Sequence, residues 1–154
     1  MTRGIEIFID ADACPVKDEV YRVAQRHGLK VHVVANAFMQ IPAHPLIERV
    51  VVDAGPDVAD DWIAQRVEKG DLVVTSDIPL AERVLKAGGA AIGPNGRPFT
   101  MDSIGAAIAQ RAIMEQIRST GVVTSGPKPF DRRDRSQFLQ TLDEVINREL
   151  RRRR

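Results

Sequence analysis

Ile5-Glu6-Ile7-Phe8-Ile9-Asp10-Ala11-Asp12-Ala13-Cys14-Pro15 decides the fold. A short β-rich apolar run ends abruptly at Asp10, and Pro15 suits the first turn of a helix. Val20, Val23 and Ala24 continue as an apolar helical stripe, and Gly28 is a good C-terminal stop. The same alternation repeats downstream. Apolar runs stand at Val31–Ala35, Val50–Val52 (ending at Asp53), Leu72–Val74 and Ala90–Ile92. Between the later runs, helices are predicted over Asp57–Lys69 and Pro79–Ala87, the second closed by Gly88-Gly89. Runs of three to five apolar residues without period-two alternation are strands covered on both faces. Alternating with helices, they predict an α/β fold with a mostly parallel sheet of about five strands and helices on both sides.

The rest of the chain reads as helices appended to that sheet. Met101–Ser119 has the helical period, with Ile104, Ala107, Ile108, Ala112 and Ile113 as its apolar positions. Thr124–Arg135 reads as a loop rich in Gly, Pro and Arg. Ser136–Leu150 reads as a last helix whose face of Phe138, Leu139, Leu142, Val145 and Ile146 docks on the sheet domain. The expected organisation is an α/β domain over residues 1–120, a basic loop and packed helix over 121–150, and a disordered arginine tail over 151–154.

Composition closes off several classes. Apolar residues make up 44% and charged residues 28% of 154, a globular balance that excludes a disordered or fibrous chain. One cysteine excludes an internal disulfide framework and a multi-cysteine metal knuckle. There is no apolar run long enough for a spanning helix, and Met1–Asp10 lacks the shape of a signal peptide, so a cytoplasmic protein without a membrane role is expected. Residues 1–80 hold 13 acidic and 8 basic side chains, whereas 81–154 hold 8 acidic and 14 basic. An acidic front and a basic back suit a site that holds cations and meets an anion, although Arg151–Arg154 produce most of the difference.

In a parallel sheet every strand ends at the same edge, and ligands bind there. Asp10, Asp53 and Asp77 fall at or just past strand ends, and Asp12 follows two residues after the first. Asp57, Asp60 and Asp61 lie in the first turns of a helix starting at that edge. Asp57 reads as a cap or dipole partner. The apolar stripe of its helix puts Asp60 and Asp61 on opposite flanks, so one of the two can face the edge. Gathered carboxylates repel unless a proton or cation sits among them. Oxygen donors favour Mg²⁺ or Mn²⁺ over zinc, and such ions serve phosphoryl chemistry.

Phe8-Ile9-Asp10-Ala11-Asp12-Ala13-Cys14-Pro15-Val16-Lys17 closely resembles the opening of the bacterial YaiI/YqxD family. Val73-Val74-Thr75-Ser76-Asp77-Ile78-Pro79-Leu80-Ala81 and Gly126-Pro127-Lys128-Pro129-Phe130 match it as well, and the resemblance covers nearly the whole chain. That family is grouped with PIN-like domains. The resemblance therefore implies a three-layer α/β/α sandwich and a ribonuclease dependent on Mg²⁺ or Mn²⁺. Asp10 sits where such domains place their first acidic residue, and Asp77 where they place a later one. The middle acid is usually Glu on a helix; here only Asp60 or Asp61 fills it. A further carboxylate is supplied by Asp102 or replaced by Asp12.

These strands of reasoning give one expectation: a metal-dependent nuclease acting on RNA or another phosphate ester. Asp10, Asp12 and Asp77 would be catalytic, and Asp10, Asp12, Asp60, Asp61 and Asp77 would ligate metal. Thr75, Ser76, Lys17, Lys128, Arg132, Arg133 and Arg135 would hold phosphate or orient carboxylates, with Phe130 beside the arginines to stack a base. The alternatives are an RNA-binding module without catalysis, a haloacid-dehalogenase-type phosphatase built on Asp10-x-Asp12, and a receiver-like phosphoacceptor with Asp53 as acceptor. Cys14 reads as a small packing residue rather than a thiolate, since no histidine is near in sequence and carboxylates surround it. His27, His32 and His44 lack metal-ligand spacing.

Overall fold

The structure is a computed structural model, and it describes residues 4–12, 14–119, 121 and 130–152. Five parallel strands form one sheet: β1 (Glu6–Asp10), β2 (Lys30–Ala35), β3 (Ile47–Val51), β4 (Leu72–Val74) and β5 (Ala90–Ile92), in the order β3-β2-β1-β4-β5. Among the described residues, five helices accompany them: α1 (Lys17–His27), α2 (Val58–Arg66), α3 (Ile78–Lys86), α4 (Met101–Ser119) and α5 (Arg132–Arg152).

Strand β1 shows why its sequence reads as it does. Ile7 and Ile9 point to one face and Phe8 to the other, and all three are buried. On the first face, Val31, Val33, Leu72, Val74 and Ile92 join them under α1 and α5. On the second, Val34, Val73 and Ala91 pack with Phe8 under α2, α3 and α4. Two cores on one sheet make a three-layer α/β/α arrangement, which requires the uninterrupted apolar runs of the sequence. Among the described residues, no helix is long and apolar enough to cross a membrane.

Several boundaries differ from the sequence reading, each for a local reason. Helix α2 stops at Arg66, because Val67 turns extended and the Glu68 amide donates to Asp71 Oδ2 at 2.8 Å. Helix α5 begins at Arg132, four residues before Ser136. Asp131 and Asp134 cap it reciprocally, each backbone amide donating to the other's carboxylate at 3.0 and 3.1 Å. The helix also continues to Arg152, so two of the four terminal arginines are helical rather than tail. Helix α4 buries Ile104, but Ile108 and Ile113 of its expected apolar face are half exposed.

The order of the strands places the site. The chain leaves β1 to build β2 and β3 on one side, then crosses back to build β4 and β5 on the other. The loops after β1 and β4 therefore diverge, and a crevice opens between them at the C-terminal edge.

Candidate acidic active site

That crevice is an open cleft of about 570 Å³ lined by Asp10, Asp12, Asp57, Asp60 and Asp77, with Asn36, Ser76 and Arg111. Asp10 is the last residue of β1, half-buried beside the end of β4. The buried Thr75, just past β4, donates its hydroxyl to Asp10 Oδ2 at 2.8 Å. The same hydroxyl oxygen accepts the backbone amide of Asp77 at 3.0 Å. Asp77 is the N-cap of α3, its Oδ1 accepting from the Leu80 amide at 2.9 Å. One threonine thus fixes the first carboxylate and the turn that carries the second.

Asp60 comes from the first turn of α2 and lines the cleft together with Asp77. Burial, then the charges of Asp77, Asp10 and Asp57, push its carboxyl up to about 6. Asp10 is also raised, by burial first and by Asp77 and Asp12, with the Thr75 hydrogen bond opposing. Asp12 lies exposed in the turn after β1, where the Asn36 backbone amide donates to its Oδ2 at 3.4 Å. The hydrogen-bond network turns the Asn36 side-chain nitrogen toward it as well, 3.0 Å from Oδ1.

Of the expected ligands, Asp10, Asp12, Asp60 and Asp77 converge and Asp61 does not. Asp61 lies on the other flank of α2, where Arg83 pairs with its Oδ1 at 2.7 Å. Asp57 stands at the N-cap position of α2 as expected, but without a side-chain capping bond. It holds a left-handed φ of 68° and lines the cleft. Asp53 follows the edge strand β3 with β2 intervening, and it lies outside the cleft lining, which removes the acceptor of the receiver-like alternative. Asp102 sits exposed at the start of α4, also outside the lining.

The expected phosphate binders scatter. Ser76 lines the cleft, whereas Thr75 is buried behind it as a positioning residue. Lys17 Nζ donates instead to the Cys14 carbonyl at 2.6 Å. Arg135 pairs with the buried Glu19 at 2.6 Å and lies 5.1 Å over the Phe130 ring, so it holds α5 to α1. Arg132 is exposed and lines neither this cleft nor its neighbour, while Arg133 lines the neighbour. These three arginines stand on the first turns of a helix, not in a loop, because the Asp131–Asp134 cap starts it early. Lys128 lies outside the described residues. Cys14 is buried in the core under α1 and α5, and burial pushes its thiol up, which suits packing and not nucleophilic attack.

The sequence reading missed Arg111 and Asn36. Arg111 stands on α4 and is the one charged side chain between Asp102 and Glu115, a signal that an otherwise apolar and small stretch holds it for a purpose.

Comparison with known proteins agrees with the resemblance. The family model described as "Uncharacterized BCR, YaiI/YqxD family" matches residues 8–148. The chain belongs to the YaiI/YqxD family. A UPF0178 protein of Caulobacter vibrioides (strain NA1000 / CB15N) is 64% identical over 140 residues, covering 91% of this chain and 92% of the relative. One from Rhodopseudomonas palustris (strain ATCC BAA-98 / CGA009) is 60% identical over 147 residues, covering 96% and 93%. One from Nitrobacter winogradskyi is 56% identical over 145 residues, covering 94% and 92%. No solved structure matches the chain.

Proposed function

We propose that this YaiI/YqxD chain is a phosphodiesterase dependent on Mg²⁺ or Mn²⁺, acting on RNA, with the acidic cleft as its centre. The observation that carries the reading is the convergence of Asp10, Asp12, Asp60 and Asp77 on the crevice between β1 and β4, beside Arg111. Four carboxylates kept together against their own repulsion need a proton or a cation.

The residues fit a hard divalent ion. Every acidic donor in the cleft is a carboxylate oxygen, and neither histidine nor cysteine lines it. Among the described residues, no three of His, Cys, Asp and Glu are placed to hold one ion as they stand. Mg²⁺ does not require that, since it keeps several waters and takes one or two carboxylates together with substrate phosphates. Asp10, with Asp77 or Asp60, would hold the ion, and Asp12 would complete the set. Bound there, the ion would supply charge neutralisation at a phosphoryl oxygen and an activated water.

The chain's own residues have distinct tasks. Thr75 engages one oxygen of Asp10, which lines the cleft, and so holds its carboxylate in one orientation. Asp60 carries a proton near pH 6 and releases it above, which makes room for a cation. Arg111 and Ser76, both in the cleft lining, would bind a substrate phosphate. No lysine lines the cleft among the described residues, which favours this reading over the phosphatase type, whose motif set includes one.

Calorimetry with Mn²⁺ and Mg²⁺ on wild type and Asp10→Asn tests the centre, alongside hydrolysis of RNA and a simple phosphodiester. The proposal expects metal binding and hydrolysis in the wild type and loss of both in the variant. Wild-type hydrolysis by Asp10→Asn would overturn it.

A further inference from the structure

A second cleft, of about 900 Å³, opens beside the acidic one and shares Ser76 and Ile78 with it. One wall is the turn from β5 to α4, Gly93-Pro94-Asn95-Gly96-Arg97-Pro98-Phe99; the other is Phe130 and the start of α5. Its chemistry is opposite to that of its neighbour. Arg97 and Arg133 both line it, and neither guanidinium has an ion-pair or hydrogen-bond partner among the described residues. Its carboxylate, Asp134, accepts from the Asp131 amide at 3.0 Å and is committed to the helix cap. Phe99 and Phe130 are half-buried and give it an apolar wall.

The walls are fixed before any ligand arrives. The Gly93 amide donates to the Arg97 carbonyl at 2.9 Å, and the Arg97 amide to Asn95 Oδ1 at 3.0 Å. Thr141 on α5 donates its hydroxyl to the Gly96 carbonyl at 2.7 Å, a buried bond. Gly96 has φ +84°, and a Cβ there would come within 2.5 Å of the Gln137 carbonyl carbon, so the turn presses backbone to backbone on α5. A rigid cleft with unpaired guanidinium groups and aromatic walls selects a planar apolar group carrying an anion.

We propose that this cleft binds an unpaired nucleotide of a single-stranded polynucleotide, its base against Phe99 and Phe130 and its phosphate on Arg97 and Arg133. The proposal rests on the acidic-cleft reading for what lies next door: the strand passes Ser76 and Ile78 to bring the adjoining phosphodiester to Asp10 and Asp77. A base seated in such a cleft has left its stack, so a duplex is refused.

The test separates binding from turnover. Fluorescence anisotropy with a labelled single-stranded RNA of about eight nucleotides is measured in EDTA, where no hydrolysis intervenes. The combined variant Arg97→Gln, Arg133→Gln should bind about tenfold or more weakly. Its log affinity should depend less steeply on log salt, by about 1.4, at about 0.7 per lost phosphate contact. Phe99→Leu should weaken binding with the salt slope unchanged, and circular dichroism confirms that each variant is folded. Asp10→Asn should bind as well as wild type or better. No binding by the wild type, unchanged binding by the arginine variant, or equal competition by the base-paired RNA or by adenosine monophosphate would overturn the proposal. Hydrolysis lost with Asp10 but RNA bound normally without Arg97 and Arg133 would sink this cleft alone. Hydrolysis retained by Asp10→Asn would sink the acidic centre alone.

Discussion

The two ends of β4 carry carboxylates in opposite circumstances. Asp71, just before the strand, is wholly buried, and the amides of Glu6 and Glu68 donate to its two oxygens at 3.0 and 2.8 Å. At the other end, Asp77 meets Asp60 and Asp10, with carboxylate facing carboxylate. Burial alone does not distinguish a structural acid from a candidate site acid, since the structural acid here is the more buried. The partners distinguish them. Backbone donors engage both oxygens of Asp71, whereas Asp77 and Asp10 have one oxygen engaged, by the Leu80 amide and the Thr75 hydroxyl, and also face groups of their own sign.

Under the proposed function, breaking the crevice end should have the largest effect. Asp10→Asn keeps shape and the Thr75 contact but removes a charge from the cleft, and hydrolysis should fall by about 10³-fold or more. Steady-state rates on RNA with Mn²⁺ check this, with urea melts to show an intact fold. The structural end should respond in stability instead. Asp71→Ala removes a wholly buried carboxylate that accepts from two backbone amides and should cost about 3 kcal/mol in urea unfolding. Metal affinity per folded molecule should survive, and its loss would merge the two ends into one site.

A smaller effect of opposite sign comes from Asp60. Its carboxyl is raised to about 6, so the folded chain keeps a proton there that the unfolded chain, with a carboxyl near 4, has released. The stability from that proton is full below about pH 4 and lost as pH rises through about 6. Asp60→Asn should therefore be more stable than wild type at pH 7, by about 1 kcal/mol after screening by solvent. The two should converge near pH 4. Melting temperatures across that range test it, and parallel curves would mean that Asp60 is not crowded. Saturating Mg²⁺ should raise the wild-type melting temperature more at pH 7 than at pH 5. The smallest change belongs to Asp61→Ala. It breaks an exposed pair with Arg83, worth about 0.5 kcal/mol or less, and should leave Mn²⁺ binding by calorimetry untouched. A large loss of metal there would exchange the roles of Asp60 and Asp61.

Much of the fold was legible because strand burial writes itself into composition. Leu72–Val74 and Ala90–Ile92 match their apolar runs residue for residue, as does the helix Met101–Ser119. Helix ends were harder to read. The cap that starts α5 is made by Asp131 and Asp134, and Ser136, an equally good capping residue, lies inside the helix. The acidic residues at strand ends were legible for the same reason as the strands, since a parallel sheet gathers its ends. Arg111 was not, because nothing local on α4 shows which way that helix crosses the sheet.

The sequence by itself determined the alternation of strands and helices, and with it the edge at which Asp10 and Asp77 stand. Periodicity and strand ends are local, and a chain of neighbours records them. Tertiary structure alone decided that β1 and β4 lie side by side, that Asp60 and not Asp61 turns inward, and that Arg135 serves Glu19 while Arg97 and Arg133 have no ion-pair partner among the described residues. Those outcomes depend on strand order and helix rotation. Both are set by how distant apolar faces pack, which no stretch of ten residues contains.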